Sequence, residues 1–373
     1  MKKFLVLLLS IVMIFSITSC GKKEVNKDYR VAMICDSDDI YDGSFNQSTY
    51  EGMEEFCKKN NVEYKYYMKD GDSTAKRNST IEKIVNDNYN IIILPGSDFI
   101  DSLKESSEKY LDVKFISIDV ATPDLGDYKI GNNVYCASYQ EELAGFMAGY
   151  TAVKLGYNKL GFLGGYEYPA IKRYGYGFVQ GAELAATELK NKDVNIKFGY
   201  VNQFKGDKHI NTYMNQWYKD GTEVVFSCGG QIYTSVAEAA VNYGGKVIGV
   251  DADQSYIIDS SGTNTTLTSA MKSIKLTVET VLENTINNDG WINYGGKCET
   301  LGLVSGDDPT ANFVQLPMDT TQWNDKFTQD NYKELVSKLF NNEIKVSSYI
   351  DNIPKVKQIK VEYLGNINTK MKD

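Results

Sequence analysis

The stretch RVAMICDSDDIYDGSFNQS, residues 30–48, decides the fold of this chain. It begins with an apolar run, continues through an acidic loop that contains glycine, and leads into a helix expected to start near Ser48. A buried strand, a loop and a helix in this order form the repeating unit of parallel α/β sheets. The loop brings Asp36, Phe45 and Asn46 to the carboxyl end of the strand, where ligands of such sheets bind.

Apolar runs and amphipathic segments alternate along the rest of the chain at a spacing of about 25 to 30 residues, which is typical of successive βαβ units. The runs are continuously apolar, so we expect a parallel sheet covered by helices on both faces. Predicted strands lie at residues 30–35, 62–67, 91–94, 115–118, 159–163, 196–201, 224–226 and 247–250.

The clearest predicted helix covers residues 139–155. Ser138 and Glu141 have the spacing of a capping box at its start, and Gly145 would let a second helix pack closely against it. The strand and helix units form two series that divide near residues 130–134. This division predicts two doubly wound α/β lobes with a ligand cleft between them.

Composition excludes several classes of protein. The 373 residues carry a net charge of −9, and no basic cluster lies beyond the first residues, so a nucleic-acid partner is not expected. The single histidine, His209, excludes sites that need two or more imidazoles. Besides Cys20 there are five cysteines without a C-x-x-C pair, a pattern that favours small buried side chains over a disulfide framework, redox chemistry or metal binding.

The N-terminus has the pattern of a bacterial signal sequence. Lys2 and Lys3 precede an apolar run of about 14 residues, too short to span a bilayer, and small residues come directly before Cys20. The pattern resembles a lipobox, so we expect residues 1–19 to be removed as a signal peptide and residues 20–28 to form a lipidated tether. The alternatives are an uncleaved anchor helix and an ordinary secretory signal.

Polar and aromatic residues follow many of the predicted strands. Two aromatic rings, several carboxylates, an amide and a lysine suit a neutral, planar, hydroxylated ligand, because a base stacks between rings and a carboxylate accepts hydrogen bonds from a diol. The chain lacks the Gly-Lys-Ser/Thr ending of a phosphate loop. Each feature also has a purely structural alternative. A loop aromatic such as Phe45 would pack on its own lobe, Asp119 would begin a turn, and Gly229 and Gly230 would form one. The candidates are Asp36, Phe45, Asn46, Asp119, Phe204, Gly229, Gly230, Asp251 and Lys272.

Several of these motifs, in this order, resemble the basic membrane protein family, the lipid-anchored substrate-binding proteins of nucleoside ABC transporters. The resemblance covers residues 30–346, and it departs from the family where Asp38 and Asp39 replace glycines that many members carry. It is carried by residues 36–48, by Gly164 and Gly165 leading to Pro169, by Gly229 and Gly230, by residues 250–255, and by Leu267, Thr268, Ser269 and Lys272.

The resemblance implies a type I periplasmic-binding-protein fold, in which two doubly wound lobes, joined by three crossovers at a hinge, close on a nucleoside in a central cleft. It assigns residues 29–132 and about 252–290 to the N-terminal lobe, and residues 133–251 and about 291–346 to the C-terminal lobe. The tail, residues 347–373, has no counterpart in the family.

The resemblance also implies a role for each candidate residue. Phe45 and Phe204 would sandwich the base between the lobes. The ribose would be held by Asp251, Lys272 and the backbone of the Gly229 and Gly230 turn. The polar edge of the base would bond to Asp36, Asn46 and Asp119.

The implied protein is a monomer, lipid-anchored on the extracytoplasmic face of the cell membrane, that delivers inosine, guanosine or adenosine to the permease and ATPase subunits of an ABC transporter. No catalytic residue, cofactor or metal is expected. Three alternatives stay open: a sugar-binding protein of the same fold, which would more often stack its ligand on tryptophan, a nucleoside-cleaving enzyme, and a surface adhesin that binds no small molecule.

The lipobox pattern can be tested at Cys20. The Cys20→Ser variant cannot receive a diacylglyceryl group, so we expect it to appear as released or unprocessed protein when cell fractions are analysed by immunoblot. A serine variant that fractionates with membranes at the size of the mature protein would contradict the lipoprotein assignment.

Overall fold

The computed structural model describes residues 29–36 and 39–369, so the predicted signal peptide, Cys20, the tether and Asp38 lie outside the described residues. In chain order its strands are β1 (Arg30–Cys35), β2 (Glu63–Met68), β3 (Ile91–Pro95), β4 (Lys114–Ile118), β5 (Val134–Tyr139), β6 (Lys159–Gly164), β7 (Asn195–Tyr200), β8 (Val224–Cys228), β9 (Lys246–Asp251), β10 (Thr266–Lys272), β11 (Lys297–Leu301), β12 (Val314–Gln315) and β13 (Lys360–Asn366).

The α-helices cover the faces and edges of two sheets, and short 3-10 turns connect several elements. No helix in the described part of the chain is long and apolar enough to cross a membrane. The helices are α1 (Phe45–Asn60), α2 (Thr74–Asn86), α3 (Ile100–Lys109), α4 (Glu141–Lys154), α5 (Pro169–Glu188), α6 (Lys208–Lys219), α7 (Tyr233–Tyr243), α8 (Ser255–Ile258), α9 (Ile274–Leu282) and α10 (Gln329–Phe340).

The strands form two sheets, one for each lobe. The N-terminal sheet has the order β11-β5-β4-β3-β1-β2, and the C-terminal sheet has the order β12-β10-β9-β8-β6-β7-β13. Every pairing is parallel except that of β12 with β10. Along β1, Val31 and Met33 pack into one core and Ala32 and Ile34 into another, so this strand is buried on both faces. The predicted strands are all present, with ends that differ by at most two residues.

The lobe boundaries differ from the predicted ones in three places. β5, predicted in the C-terminal lobe, pairs with β4 of the N-terminal sheet, and β11 in turn pairs with β5. β10, predicted in the N-terminal lobe, pairs with β9 of the C-terminal sheet. Each lobe therefore includes its fifth strand, β5 or β10, and the chain crosses to the other lobe only after that strand. The fifth strand satisfies its backbone hydrogen bonds by pairing with the fourth, and the sequence pattern does not show which strand is its partner.

The C-terminal tail is part of the C-terminal lobe rather than a separate appendage. β13 pairs in parallel with β7 and covers the edge of the sheet. The loop before it is held by the carboxylate of Glu183 on α5, which accepts hydrogen bonds from the backbone N–H groups of Lys357, Gln358 and Ile359. Ile367, just after β13, is fully buried.

The predicted close packing at Gly145 is present, but the predicted capping box is wrong. A side chain at Gly145 would bring its Cβ within 2.0 Å of the Tyr174 carbonyl oxygen on α5, so only glycine lets these helices approach. α4 begins at Glu141 after Gln140, without a side-chain cap. Ser138 lies in β5, and Glu141 turns instead toward a buried group of charges.

Candidate ligand-binding site

A cavity of about 800 Å³ lies between the carboxyl ends of the two sheets. In each lobe this is the switch point of the topology, where β1 separates β2 from β3 and β6 separates β7 from β8. Crevices at such points receive the ligands of open α/β sheets. The cavity is lined by all nine predicted ligand-binding residues, namely Asp36, Phe45, Asn46, Asp119, Phe204, Gly229, Gly230, Asp251 and Lys272.

The floor of the cavity is a buried cluster of charges around Lys272, the last residue of β10. Its ammonium pairs with Asp119 of the N-terminal lobe, and it lies 3.5 Å from Asp251 Oδ1 and 3.8 Å from Glu141 Oε1. Arg173 Nε binds the other Glu141 oxygen at 2.5 Å. Three carboxylates therefore face two cations in a largely buried region at the bottom of the cavity.

Burial and charge oppose each other at Lys272. Burial alone lowers the pKa of its ammonium, but the carboxylates of Asp119, Asp251 and Glu141 outweigh that effect and raise the pKa above its ordinary value. Burial raises the pKa of the Asp251 and Glu141 carboxyls, and the neighbouring cations limit the rise. The ammonium thus stays charged throughout the physiological range.

Two of the carboxylates stand on strained backbone. Asp119 follows β4 with φ of 63°, and Asp251 ends β9 with φ of 66°, both in the left-handed region that non-glycine residues seldom adopt. β4 and β9 occupy the same place in the strand order of their sheets. Equivalent positions of the two lobes therefore present aspartates toward each other, and strain of this kind is concentrated at functional sites.

The wall on the N-terminal lobe is formed by the start of α1. Asp42 accepts hydrogen bonds from the backbone N–H groups of Ser44, Asn46 and Gln47 at 2.8 to 3.1 Å, which fixes the turn that carries Phe45. Asn46 Nδ2 donates to Asp36 Oδ1 at 2.6 Å. Burial raises the pKa of Asp36 to about 7, so this carboxyl changes charge near neutral pH. Phe45 itself faces Lys272, whose ammonium lies 4.9 Å from the ring centre.

The wall on the C-terminal lobe is aromatic. Phe204 rests against glycine backbone, and a Cβ at Gly165 would come within 2.6 Å of its ring. Tyr166 and Tyr168 stack on each other and both meet Phe204 edge-on, with ring centres 5.0 and 5.9 Å away. The tyrosines hold the Phe204 ring in place beside the cavity.

Hydrogen bonds across the cleft connect the two lobes. At the rim, Tyr168 donates to Asp98 at 2.7 Å and Gln231 donates to Asp39 at 3.2 Å. Near the floor, Ser44 Oγ donates to Asp251 Oδ2 at 2.6 Å. The lobes are therefore in a closed arrangement, with Phe45 and Phe204 presented by opposite sides.

In the structure Asp119 lies with Lys272 and Asp251 rather than with Asp36 and Asn46. The resemblance assigned it to the base together with Asp36 and Asn46, whereas its carboxylate pairs with Lys272 beside Asp251. Asp119 Oδ1 is buried and has no hydrogen-bond partner among the described residues. The acceptor group on the cavity floor thus consists of Asp119 and Asp251, held by one lysine.

Sequence reasoning missed several residues that build the site. The sequence pattern places Glu141 in a capping box, and Arg173 follows Lys172 in a helix, where two adjacent cations do not point to a binding site. Ser44 and Tyr168 lie in the motifs that carry the family resemblance, which assigns a role to neither of them. The sequence signal is that Glu141 and Glu142 open a helix whose other residues are mostly apolar, and in the structure both are buried, which ionised side chains seldom are without a partner.

Comparison with known proteins identifies a family and a fold. Residues 29–350 match the family described as ABC transporter substrate-binding protein PnrA-like (Bmp). The ABC transporter nucleoside-binding protein BmpA of Lactococcus lactis subsp. cremoris is 27% identical over 303 residues, 76% of this chain and 81% of that protein. Basic membrane protein B of Borreliella burgdorferi is 30% identical over 310 residues, 79% of this chain and 86% of that protein.

Solved structures resemble the fold. An ABC transporter solute-binding protein from Aeropyrum pernix K1 has a TM-score of 0.66 at 20% identity, over 85% of this chain and 87% of that chain. The predicted type I periplasmic-binding-protein fold is confirmed.

Glu142 offers a test of the buried electrostatics. Burial, aided by the charge of Glu141, raises its pKa from 4.5 to about 7, and Oε2 has no hydrogen-bond partner among the described residues. Because the folded-state pKa is the higher one, protonation stabilises the fold below pH 4.5 and this contribution is lost as the pH rises through 7. We expect Glu142→Gln to raise the free energy of unfolding at pH 8.5, by about 3 kcal/mol at most.

The gain should shrink toward zero at pH 5, as measured by urea unfolding at each pH. Glu238→Gln, at an exposed position on α7, serves as the matched control and should show little dependence on pH. A gain at Glu142→Gln that is the same at both pH values would contradict the electrostatic explanation.

Proposed function

The chain belongs to the PnrA-like (Bmp) family of ABC transporter substrate-binding proteins, and we propose that its ligand is a purine nucleoside. The observation that carries this proposal is the cavity itself, in which two phenylalanines from opposite lobes flank a buried group of carboxylates. A relative named as nucleoside-binding supports the same ligand class. We further propose that the protein binds its ligand without cleaving it.

Phe45 and Phe204 would stack on the two faces of the base. Each aromatic face contributes about 1–3 kcal/mol to the binding of a base. Asp36 and Asn46, joined by a hydrogen bond beside Phe45, would bind the polar edge of the base. Asp36 titrates near neutral pH, so it can either donate or accept a proton in that contact.

The sugar would bind to the floor of the cavity. Asp119 and Asp251 offer carboxylate oxygens, and a carboxylate accepts two hydrogen bonds from the vicinal hydroxyls of a ribose. Lys272 holds both carboxylates and donates to a sugar oxygen. The backbone N–H groups of Gly229 and Gly230, where φ is 137° and 52°, approach from the C-terminal lobe.

Closure would follow from contacts that only the closed state allows. A ligand that touches both lobes binds the closed form more tightly and shifts the population toward it. The rim bonds of Tyr168 with Asp98 and of Gln231 with Asp39 add to that preference. We propose that the closed, loaded monomer, held by a lipid on Cys20 at the extracytoplasmic face of the membrane, delivers the nucleoside to an ABC permease and its ATPase.

Nucleoside binding should be visible as thermal stabilisation. A ligand that binds only the folded state at a hundredfold excess over its Kd adds about 2.7 kcal/mol to the free energy of unfolding, so inosine, guanosine or adenosine should raise the Tm by several degrees.

Protein purified from cells, denatured and examined by mass spectrometry should release a retained nucleoside. The same samples, incubated with inosine, should yield no free hypoxanthine, which separates binding from cleavage. Absence of any Tm shift at millimolar nucleoside would contradict the proposal.

The stacking sandwich predicts a specific pattern of losses. Phe45→Ala and Phe204→Ala should each weaken inosine binding by about 1–3 kcal/mol in calorimetry, because each removes one aromatic face. Phe340→Ala, at a half-exposed position on α10 away from the cavity, is the matched control and should leave binding unchanged. Equal affinities for parent and both cavity variants would rule out the sandwich.

A further inference from the structure

Tyr174 is a buried polar residue of the cavity to which neither the sequence motifs nor the proposed function gives a role. It lies in the first half of α5, is 1% exposed, and lines the cavity between the lobes. Its hydroxyl has no hydrogen-bond partner among the described residues. Buried hydroxyls in native proteins are nearly always paired, so an unpaired one at a ligand cavity requires an explanation.

The ring of Tyr174 is held rigidly. The backbone of α5 at this residue packs directly on Gly145 of α4, and the ring meets Phe226 edge-on with centres 5.9 Å apart. The backbone contact fixes the position of the residue, and rotation of its side chain to find a partner elsewhere would break the ring contact with Phe226. The hydroxyl is therefore fixed in place before any ligand arrives.

The surroundings of Tyr174 are those of the cavity floor. The ammonium of Lys272 lies 5.7 Å from the ring centre. Burial, together with the charges of Asp251 and Glu141, raises the pKa of the Tyr174 phenol well above its ordinary value, so the phenol remains protonated and able to donate. Lys272 and Asp251 are also the residues assigned to the sugar, which places Tyr174 beside the sugar rather than beside the base.

We propose that Tyr174 is a specificity-determining residue for ribose, because its hydroxyl donates a hydrogen bond to one of the hydroxyl oxygens of the ligand's sugar. The proposal rests on the proposed nucleoside function and extends it to one further side chain. In the absence of ligand the hydroxyl is a buried donor without an acceptor, which destabilises the free protein. A bound sugar supplies the acceptor and removes the free-energy cost of the unpaired donor.

The chain contains a matched control. Tyr200, in the same lobe, is also fully buried and also has a hydroxyl without a partner among the described residues, but it does not line the cavity. Tyr174→Phe and Tyr200→Phe each remove one buried, unpaired hydroxyl and leave the ring. We expect both variants to keep or raise the Tm of the ligand-free protein.

Only Tyr174→Phe should alter binding. By calorimetry with inosine we expect it to raise Kd by about fivefold to tenfold, the range for loss of one hydrogen bond, whereas Tyr200→Phe leaves Kd unchanged. The 2′-, 3′- and 5′-deoxy forms of inosine then locate the contact. For the analogue that lacks the bonded hydroxyl, parent and Tyr174→Phe should bind equally well.

The outcomes separate this inference from the function on which it rests. If the parent protein binds no nucleoside, the proposed function fails. If the parent binds inosine and Tyr174→Phe binds it equally well, the function stands and the role of Tyr174 is overturned. The role is also overturned if Tyr174→Phe weakens the binding of inosine and of all three deoxy analogues by the same factor, because the lost affinity would then not come from a hydrogen bond to a sugar hydroxyl.

Discussion

The buried ammonium of Lys272 is the interaction on which the rest of the site depends. An ion of this size cannot leave water unless partners surround it, and removing one partner of such a cluster typically costs about 3–5 kcal/mol. Its partners come from both lobes, with Asp119 on the N-terminal side and Asp251 and Glu141 on the C-terminal side. The cluster therefore joins the two lobes at the floor of the cleft.

The two lobes contribute to this cluster in the same way. Each has a strand order in which the first strand lies between the second and third. An aspartate with positive φ ends the fourth strand of the C-terminal lobe, and another directly follows the fourth strand of the N-terminal lobe. The third strands, β3 and β8, are followed by Gly96 and Gly229, whose φ values of 97° and 137° suit glycine. A shared backbone plan thus brings two carboxylates to one lysine, although the lysine belongs to only one lobe.

The cluster leaves hydrogen-bonding capacity unused. Asp119 Oδ1 and the hydroxyl of Tyr174 have no partners among the described residues, and both residues line the cavity. One is an acceptor and the other, kept protonated by its surroundings, is a donor. A small ligand with several hydroxyl groups can satisfy both at once, which under the proposed function is the task of the ribose, while the aromatic walls select a flat base.

Sequence alone determined the strand and helix rhythm, the two parallel lobes and nine of the residues that line the cavity, because buried strands are continuously apolar and ligand groups follow their carboxyl ends. It assigned β5, β10 and β11 to the wrong lobe and read Glu141 as a helix cap. Those features depend on which strand pairs with which and on which charges meet after folding. Lys272 lies 99 residues after Arg173 and 131 residues after Glu141 in the chain, and only tertiary structure brings such charges into one buried cluster, where their mutual attraction is strong enough to hold them there.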